Sequence, residues 1–556
     1  MRRSAFGSGM TINILTPMPR GADQDSSVEL VELRVLDGPN RFFTRPAVKL
    51  EFTGHQPGNV EAVAQRAAQA IKRLHEGLDL PEPRLTTRPS VDGLRVAIAF
   101  AWRRRTISQA IAAAAGRLAL GRSTLRRELA GLRATAHGPL SHLPRPRIPI
   151  VAVTGTNGKS TTTRLIAHIA SQAGLKVGMT NSDGIFVRGE LIEAGDWTGF
   201  GGAGRVLAEP GLDLAVLETA RGGILLRGVG YAANDVSVVT NLSADHLGLQ
   251  GIDTVDELAE VKGVVVRMTK RGGWTVLNAD DDRAWAMRRL TRANVYVFSM
   301  EPRSDRVQRV LDRGGRAALL ESEGLVLRAA GRRPRRLAPA VDLPVTVAGL
   351  SRHNIANALA ASAACDALGI GAARIARGLR SFAQDAADNP GRLNMYERRG
   401  VFAVVDFAHN EAGLAGLLDV ARAVAGRHRV RLAFGTAGDR TDEILHALGA
   451  LAGGADDLVI AEKRHYLRGR DLDEMNELLR AGARDGGYTG EIEAQPNEVA
   501  ALQAILSRAK RGDVCAVMSH AERGEVFEWL ATEGFEAVEA DRLKALVAES
   551  AAHSGH

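Results

Sequence analysis

The chain has 556 residues, of which 45% are hydrophobic and 24% charged, with a formal net charge of +8. That length allows about three to four domains, each able to bury a core. Only 4% of residues are aromatic and no basic run interleaves with them, which disfavours a nucleic-acid stacking surface; two cysteines without CxxC spacing exclude a disulfide framework, and no apolar run reaches the roughly 18 residues of a membrane span.

Residues 1–27 contain Arg2 and Arg3 but no apolar signal core, so they are expected to be a disordered end of a cytoplasmic protein. Residues 28–137 form a small α+β pattern. Val31, Leu33 and Val35 alternate with charged residues, as do Val48, Leu50 and Phe52, and Leu94 to Trp102 repeats the alternation. Val60, Val63, Ala64, Ala67, Ile71 and Leu74 keep helical spacing between them. An Ala/Arg-rich stretch at 107–134 predicts one or two helices with a solvated arginine face. Four prolines then mark a linker at 138–149.

From 150 to 392 short buried β runs alternate with helices, at 150–153, 177–180, 214–217, 236–240 and 274–277. This grammar predicts a mostly parallel sheet with helices on both faces. Residues 303–346 read as an irregular β insertion rich in Arg and Gly. A second βα series at 402–405, 430–434, 458–461 and 514–518 predicts a smaller α/β domain over 393–547, followed by a tail at 548–556.

One loop carries clear chemistry. The run VAVTGTNGKSTTT at 151–163 ends a strand and opens a helix. Gly155, Thr156, Asn157, Gly158, Lys159, Ser160 and Thr161 fit a phosphate-binding loop of the short GxxGK[ST] form, with Val153 where the longer form has glycine. Backbone amides at a helix N-terminus attract a phosphate, Lys159 can pair with it, and the Ser160 hydroxyl can coordinate Mg²⁺. Glu218 follows an apolar run and therefore stands at the carboxyl end of a strand, where α/β sheets bind ligands. Lys262 lies in a helix expected to open with the capping box Thr254-x-x-Glu257. Asn354 and Asn357 share one face of a helical turn.

The string GTNGKST resembles the phosphate loop of the Mur ligase family. ETARGGIL at 218–225, NLSADHLGLQGIDT at 241–254, SDGIFVRGELIEAGDWTG at 182–199, VLNADDD at 276–282 and YLRGR at 466–470 resemble the cyanophycin synthetase branch of that family; GLSRHNIANALAA at 349–361, NPGR at 389–392 and DFAHN at 406–410 resemble its inter-domain nucleotide segments. RVLDGPN at 34–40 and AFAWRRR at 99–105 resemble that branch's N-terminal domain. The branch places an ATP-grasp domain between the two parts, and here only about 103–147 separates them.

The resemblance implies a three-domain Mur ligase layout, with a P-loop ATPase domain and a Rossmann-like C-terminal domain, preceded by the α+β domain. It implies ATP and Mg²⁺ as cofactors and activation of an Asp- or Glu-type carboxylate for joining to an amino acid or other amine. By resemblance Glu218 and His246 are metal ligands, with Lys159, Lys262 and His246 catalytic, and Lys262 is a candidate for carbamylation. Asn354, Asn357, Arg392 and Asp406 fall on the nucleotide side, while Asp196, Thr198, His409, Asn410, Arg468 and Arg470 fall on the substrate side. His353 reads equally as structural. No nucleic-acid or membrane partner is implied, and a homo-oligomer is compatible. Two other readings stay open: a catalytically silent Mur-like scaffold, and a kinase or ATPase without ligation.

Overall fold

The computed structural model describes residues 28–145, 147–244 and 247–554. The expected disordered end at 1–27 therefore lies outside the described residues. The helix Ala540–Ser554 runs through most of the stretch expected to be a tail.

Three sheets organise the described chain. The first pairs Val28–Leu36, Ala47–Gly54, Arg95–Ala101 and Leu85–Pro89 antiparallel, in that spatial order. The strand Leu85–Pro89 was not expected from the sequence; it is an edge strand, where Pro89 is tolerated. One face of this sheet buries Val48, Leu50, Phe52, Ile98 and Phe100 against Val60, Ala64, Ala67, Ile71 and Leu74 of the helix Pro57–Glu76. The Ala/Arg-rich stretch forms two helices, Arg105–Ala119 and Leu125–Arg133, tied by Arg117 and Glu128.

The central sheet has a parallel core in the order Arg316–Glu321, Asn294–Ser299, Thr269–Asn278, Asn234–Val239, Ile150–Thr154, Leu214–Glu218, Val177–Thr180. Antiparallel strands extend both edges: Gly324–Ala329 with Arg335–Pro339, and Gly184–Val187 with Glu190–Ala194. The expected irregular insertion at 303–346 is thus largely regular. It contributes the helix Asp305–Asp312 and the sheet's edge. On one face Leu165, Ile166 and Ile169 of the helix Lys159–Gln172 pack with the helix Arg352–Ala367 over Val151, Val153 and Val238. On the other, Val261, Val264 and Val265 of the helix Val255–Arg267 cover Ile150, Ala152 and Leu217. Strands covered on both faces read as continuous apolar runs, which is why they were legible.

The third sheet runs Glu493–Gln495, Asp457–Ala461, Val430–Phe434, Val514–Met518 and Val401–Asp406 in parallel, then Asn394–Arg398 and Glu536–Ala537 antiparallel. Both cysteines are buried with free thiols, Cys365 in a central helix and Cys515 in a strand of this sheet. No described helix is long and apolar enough to cross a membrane.

The first domain docks on the helix that carries Lys262. Arg41 pairs with Glu257 and Glu260, Arg88 with Glu260, and Arg95 with Asp253. Backbones meet directly beside this: the Gly38 amide donates to the Arg227 carbonyl at 3.0 Å and the Val229 amide to the Pro39 carbonyl at 2.8 Å. A Cβ on Gly38 would overlap the Val229 carbonyl. Gly38→Ala should therefore cost about 1–3 kcal/mol through overpacking at this seam. The expected result is faster hydrogen exchange across 255–267 and a lower melting temperature; unchanged exchange there would show that the seam does not hold the helix.

Candidate active site

The carboxyl ends of the central and third parallel sheets face each other across a cleft of about 800 Å³. In α/β folds this is the edge that ligands occupy. The phosphate loop forms the central wall. Gly158 has φ 78° and its missing Cβ makes room for the Asn357 side chain, so this position takes no other residue without strain. The loop is pinned from behind: the Thr156 amide donates to the Asn241 carbonyl at 2.9 Å, the Asn157 amide to Asn241 Oδ1 at 2.9 Å, and Thr240 Oγ1 to the Asn157 carbonyl at 2.6 Å. Lys159 Nζ donates to the Thr156 carbonyl at 2.8 Å, folded over the loop.

Glu218 ends the strand Leu214–Glu218 and is 3% exposed. Burial pushes its carboxyl pKa up, against the pull of Lys159, a hydrogen bond from Ser160 and the charge of Arg392. Its Oε2 has no hydrogen-bond partner among the described residues. A buried carboxylate oxygen without a donor is costly, and a hard divalent cation would satisfy it. Ser160 and Glu218 supply the oxygen donors that Mg²⁺ takes beside substrate phosphates, so the residues present fit that ion. No group of three His, Cys, Asp or Glu gathers around a metal position among the described residues.

Lys262 is 4% exposed and Nζ donates to the Gly155 carbonyl at 2.6 Å. Its helix opens with the expected capping box between Thr254 and Glu257. Asn354 and Asn357 start the helix Arg352–Ala367, where Asn357 Nδ2 donates to Asn354 Oδ1 at 3.1 Å and Thr162 Oγ1 to Asn357 Oδ1 at 3.3 Å. His353 also lines the cleft.

The third domain supplies the opposite wall. The Arg392 guanidinium lies over the Phe407 ring, 4.4 Å from its centroid. Burial lowers its pKa while Asp183 and Asp406 raise it, and an arginine stays charged under such shifts. Burial pushes the Asp406 carboxyl up to about 6, opposed by Arg392 and by the Leu393 amide, which donates to Oδ2 at 2.8 Å. Two links hold the walls together. Asp183 accepts from Arg164 at 2.9 Å and from Arg523, across the cleft, at 2.6 Å. Burial would raise the Asp183 pKa, but Arg523, Arg392 and Arg164 together hold it below the usual carboxylate value. Asn410, which caps the helix Glu411–Ala425, donates to Asn157 Oδ1 at 2.9 Å and accepts from Asn157 Nδ2 at 3.4 Å.

Residues 153–365 match the Mur ligase middle domain, and residues 391–521 match the domain described as "Mur ligase, glutamate ligase domain". The chain belongs to the Mur ligase family. Cyanophycin synthetase of Trichormus variabilis is 39% identical over 372 residues, which are 67% of this chain and 41% of that protein. That of Synechocystis sp. is 40% identical over 372 residues, 67% of this chain and 42% of that protein. The chain thus matches only about two fifths of the length of these relatives. The UDP-N-acetylmuramoyl-L-alanyl-D-glutamate–2,6-diaminopimelate ligase of Geobacillus kaustophilus is 27% identical over 406 residues, 71% of this chain and 77% of that protein. Among solved structures, E. coli FolC in complex with DHPP and ADP superposes with a TM-score of 0.52 at 19% identity, over 70% of this chain and 90% of that one, which supports the same fold.

For this Mur ligase family member the cleft gathers most of the expected residues. Thr156, Asn157, Gly158, Lys159, Ser160, Thr161, Asp196, Thr198, Glu218, Lys262, Asn354, Asn357, Arg392, Asp406, His409 and Arg468 all line it. Gly155 lies beneath the loop, its carbonyl turned to Lys262. Asn410 serves the link to Asn157 instead of the cleft surface. Arg470 is not brought in: it pairs with Asp442 and Glu474 and donates to the Arg440 carbonyl, all within the third domain. His246 lies outside the described residues. Asp196 and Thr198 are bonded to each other, Thr198 Oγ1 donating to Asp196 Oδ1 at 2.6 Å. Arg468 pairs with Asp439, a cleft residue that sequence reasoning did not single out. Asp183, Arg164 and Arg523 were missed as well. The position of Asp183 just beyond a strand end was the one available signal.

The raised Asp406 pKa has a consequence for stability. Between about pH 4 and 6 the folded chain keeps a proton that the unfolded chain, with the ordinary value of 3.8, releases. Stability from this group is therefore greatest below pH 4, falls through that window by up to about 3 kcal/mol, and is flat above it. Asp406→Asn should remove this slope. Denaturant titrations of both proteins from pH 4 to 7 test it, and parallel pH curves would refute the assignment.

Proposed function

We propose that this protein is an ATP-dependent amide ligase. It activates an Asp- or Glu-type carboxylate as an acyl phosphate and joins it to an amino acid or other amine. The observation that carries this reading is the shared cleft, in which Lys159 and the buried Glu218 face Arg392 and Asp406 from another domain. A carboxylate is a poor acyl donor, so one of its oxygens attacks the γ-phosphorus and ADP leaves. The amine nitrogen then attacks the acyl carbon, phosphate leaves with the carbon–oxygen bond, and the nitrogen loses a proton.

In this scheme the loop amides and Lys159 bind the phosphates, and Arg392 adds positive charge to them. Mg²⁺, held by Ser160 and Glu218, would neutralise charge on the transferring phosphoryl group. Asn354, Asn357 and Asp406 orient the nucleotide. Asp196, Thr198, His409 and Arg468 lie on the substrate side, where Arg468 can hold a substrate carboxylate. Lys262 belongs to the same reading as a carbamylated side chain: its deprotonated amine would take up CO₂ and release a proton, giving an anionic oxygen donor beside the loop. Enclosure between two domains excludes water from the acyl phosphate. The reaction draws on ATP and is placed in the cytoplasm.

Phosphate release with Mg-ATP, across a panel of amino acids crossed with aspartyl and glutamyl peptides, tests the proposal. Release should require one amine and one carboxylate together, with a product whose mass is their sum less water. Lys159→Ala should lower the rate by about 10² or more, as expected when a transition-state charge partner is lost. ATP turnover that ignores every amine would instead indicate a kinase or ATPase.

A further inference from the structure

Beneath the third domain's side of the cleft lies a buried polar knot with no role in the scheme above. Glu498 opens the helix Glu498–Ser507 and is 1% exposed. Its carboxylate accepts from five donors: Lys463 Nζ at 2.6 Å, Ser519 Oγ at 2.6 Å, and the amides of His520, Ala521 and Glu522 at 2.8, 3.1 and 3.2 Å. Burial pushes this carboxyl up, yet Lys463 and the hydrogen bonds outweigh it and hold it at about 2. Lys463, just beyond the strand Asp457–Ala461, also donates to the Met518 carbonyl at 2.7 Å. One anion thus fixes the chain as it leaves the strand Val514–Met518.

What that turn presents is the His520 ring. Its Nε2 lies 2.6 Å from the Ala408 carbonyl, on the turn that follows the neighbouring strand Val401–Asp406. Burial first, then the Lys463 charge, hold the imidazole pKa down at about 3, so the ring is neutral near pH 7. A neutral ring nitrogen facing a carbonyl must be the protonated one, so Nε2–H donates. The ring also meets Phe407 edge-on at 5.2 Å between centroids, and Phe407 carries the Arg392 guanidinium on its face. Ala408 sits between Asp406, which holds the Leu393 amide, and Asn410, which reaches Asn157 of the phosphate loop.

We infer that His520 is a positioning residue for nucleotide binding: braced by Glu498, its Nε2–H holds the Ala408 carbonyl and thereby places Arg392, Asp406 and Asn410 against the phosphate loop. The inference rests on the ligase reading for what the turn 406–410 binds. His520 is not itself part of the cleft lining. A defect in it would therefore be felt first through ATP, and in the substrates only through His409, whose ring lies 6.5 Å from that of His520.

The test uses full-length His520→Gln and His520→Leu. A glutamine amide can place an N–H close to the Nε2 position, whereas leucine keeps comparable bulk without a donor. Three quantities are compared: Mg-ADP affinity by calorimetry, which needs no turnover, the KM for ATP against the KM for the amine, and the melting temperature. His520→Leu should weaken Mg-ADP binding roughly tenfold, the order expected for a lost, partly buried hydrogen bond to a carbonyl, and raise the ATP KM in proportion. The amine KM should rise less than the ATP KM, its share coming through His409, and His520→Gln should recover most of the lost Mg-ADP affinity. If both variants bind Mg-ADP like the unmodified protein, the positioning role is wrong. Equal losses in both variants with equally lowered melting temperatures would assign His520 to folding alone, and overturn the inference. If the unmodified protein binds no Mg-ADP, the ligase reading itself has failed and takes this inference with it.

Discussion

The ion pair between Asp183 and Arg523 is the charged contact that joins the two walls of the cleft. Its partners are 340 residues apart and belong to different domains. Arg523 also donates to the Pro390 carbonyl at 3.3 Å, and Arg164 donates to the Asp388 carbonyl at 3.4 Å, so both guanidiniums reach the segment that joins the two domains. An isolated surface pair would contribute little. Here one carboxylate, 13% exposed, is shared between two guanidiniums, so its charge is compensated from both domains. That geometry brings Arg392 and Asp406 opposite Lys159 and Glu218. The exchange between Asn157 and Asn410 then sets the register more finely, because an amide pair tolerates little displacement along either chain.

Three carboxylates in this small volume are shifted in different directions, and the cause is partner count. Asp183 has two guanidiniums in hydrogen-bond contact and is lowered. Glu218, buried, and Asp406, half-buried, stand at strand ends with less compensation and are raised. A carboxylate whose charge burial opposes is one that gains most from an arriving positive or hydrogen-bonding partner. The lowered group is compensated within the protein, and on the proposed function the two raised groups are where a cation and a nucleotide would add the missing interactions. The same distinction separates Arg468, which lines the cleft, from Arg470, whose two carboxylate partners within its own domain already satisfy it.

What could be read from the sequence follows from how local each signal is. The strand at 177–180 coincides with the observed Val177–Thr180, because a strand buried on both faces leaves a continuous apolar run. The phosphate loop was legible for a similar reason: glycine, lysine and serine must stand in fixed order where a strand becomes a helix. The edge strands were not legible. Arg335–Pro339 and Leu85–Pro89 carry arginine and proline on exposed positions, and only their neighbours' ladders make them strands. Nor could spacing separate Arg468 from Arg470, since two arginines on either side of Gly469 differ only in where the backbone points them. Arg468 has φ 50°, a left-handed position that the string LRGR does not announce. The Asp183–Arg523 and His520–Ala408 contacts join segments far apart in the chain, and no local pattern encodes such a meeting.

The first domain is tied to this chemistry through a single helix. Glu257 completes the capping box that starts the helix Val255–Arg267 and also stands 3.6 Å from Arg41 of the first domain. One turn further, Glu260 takes both Arg41 and Arg88. Two residues beyond that, Lys262 points the other way, into the cleft, and holds the Gly155 carbonyl. At the far end Arg267 donates to the Asn40 and Arg41 carbonyls. A helix anchored on its outer face at both ends cannot rotate or slide without breaking several charged contacts at once. The same helix thus carries the first domain's contacts on one face and Lys262, at the base of the phosphate loop, on the other.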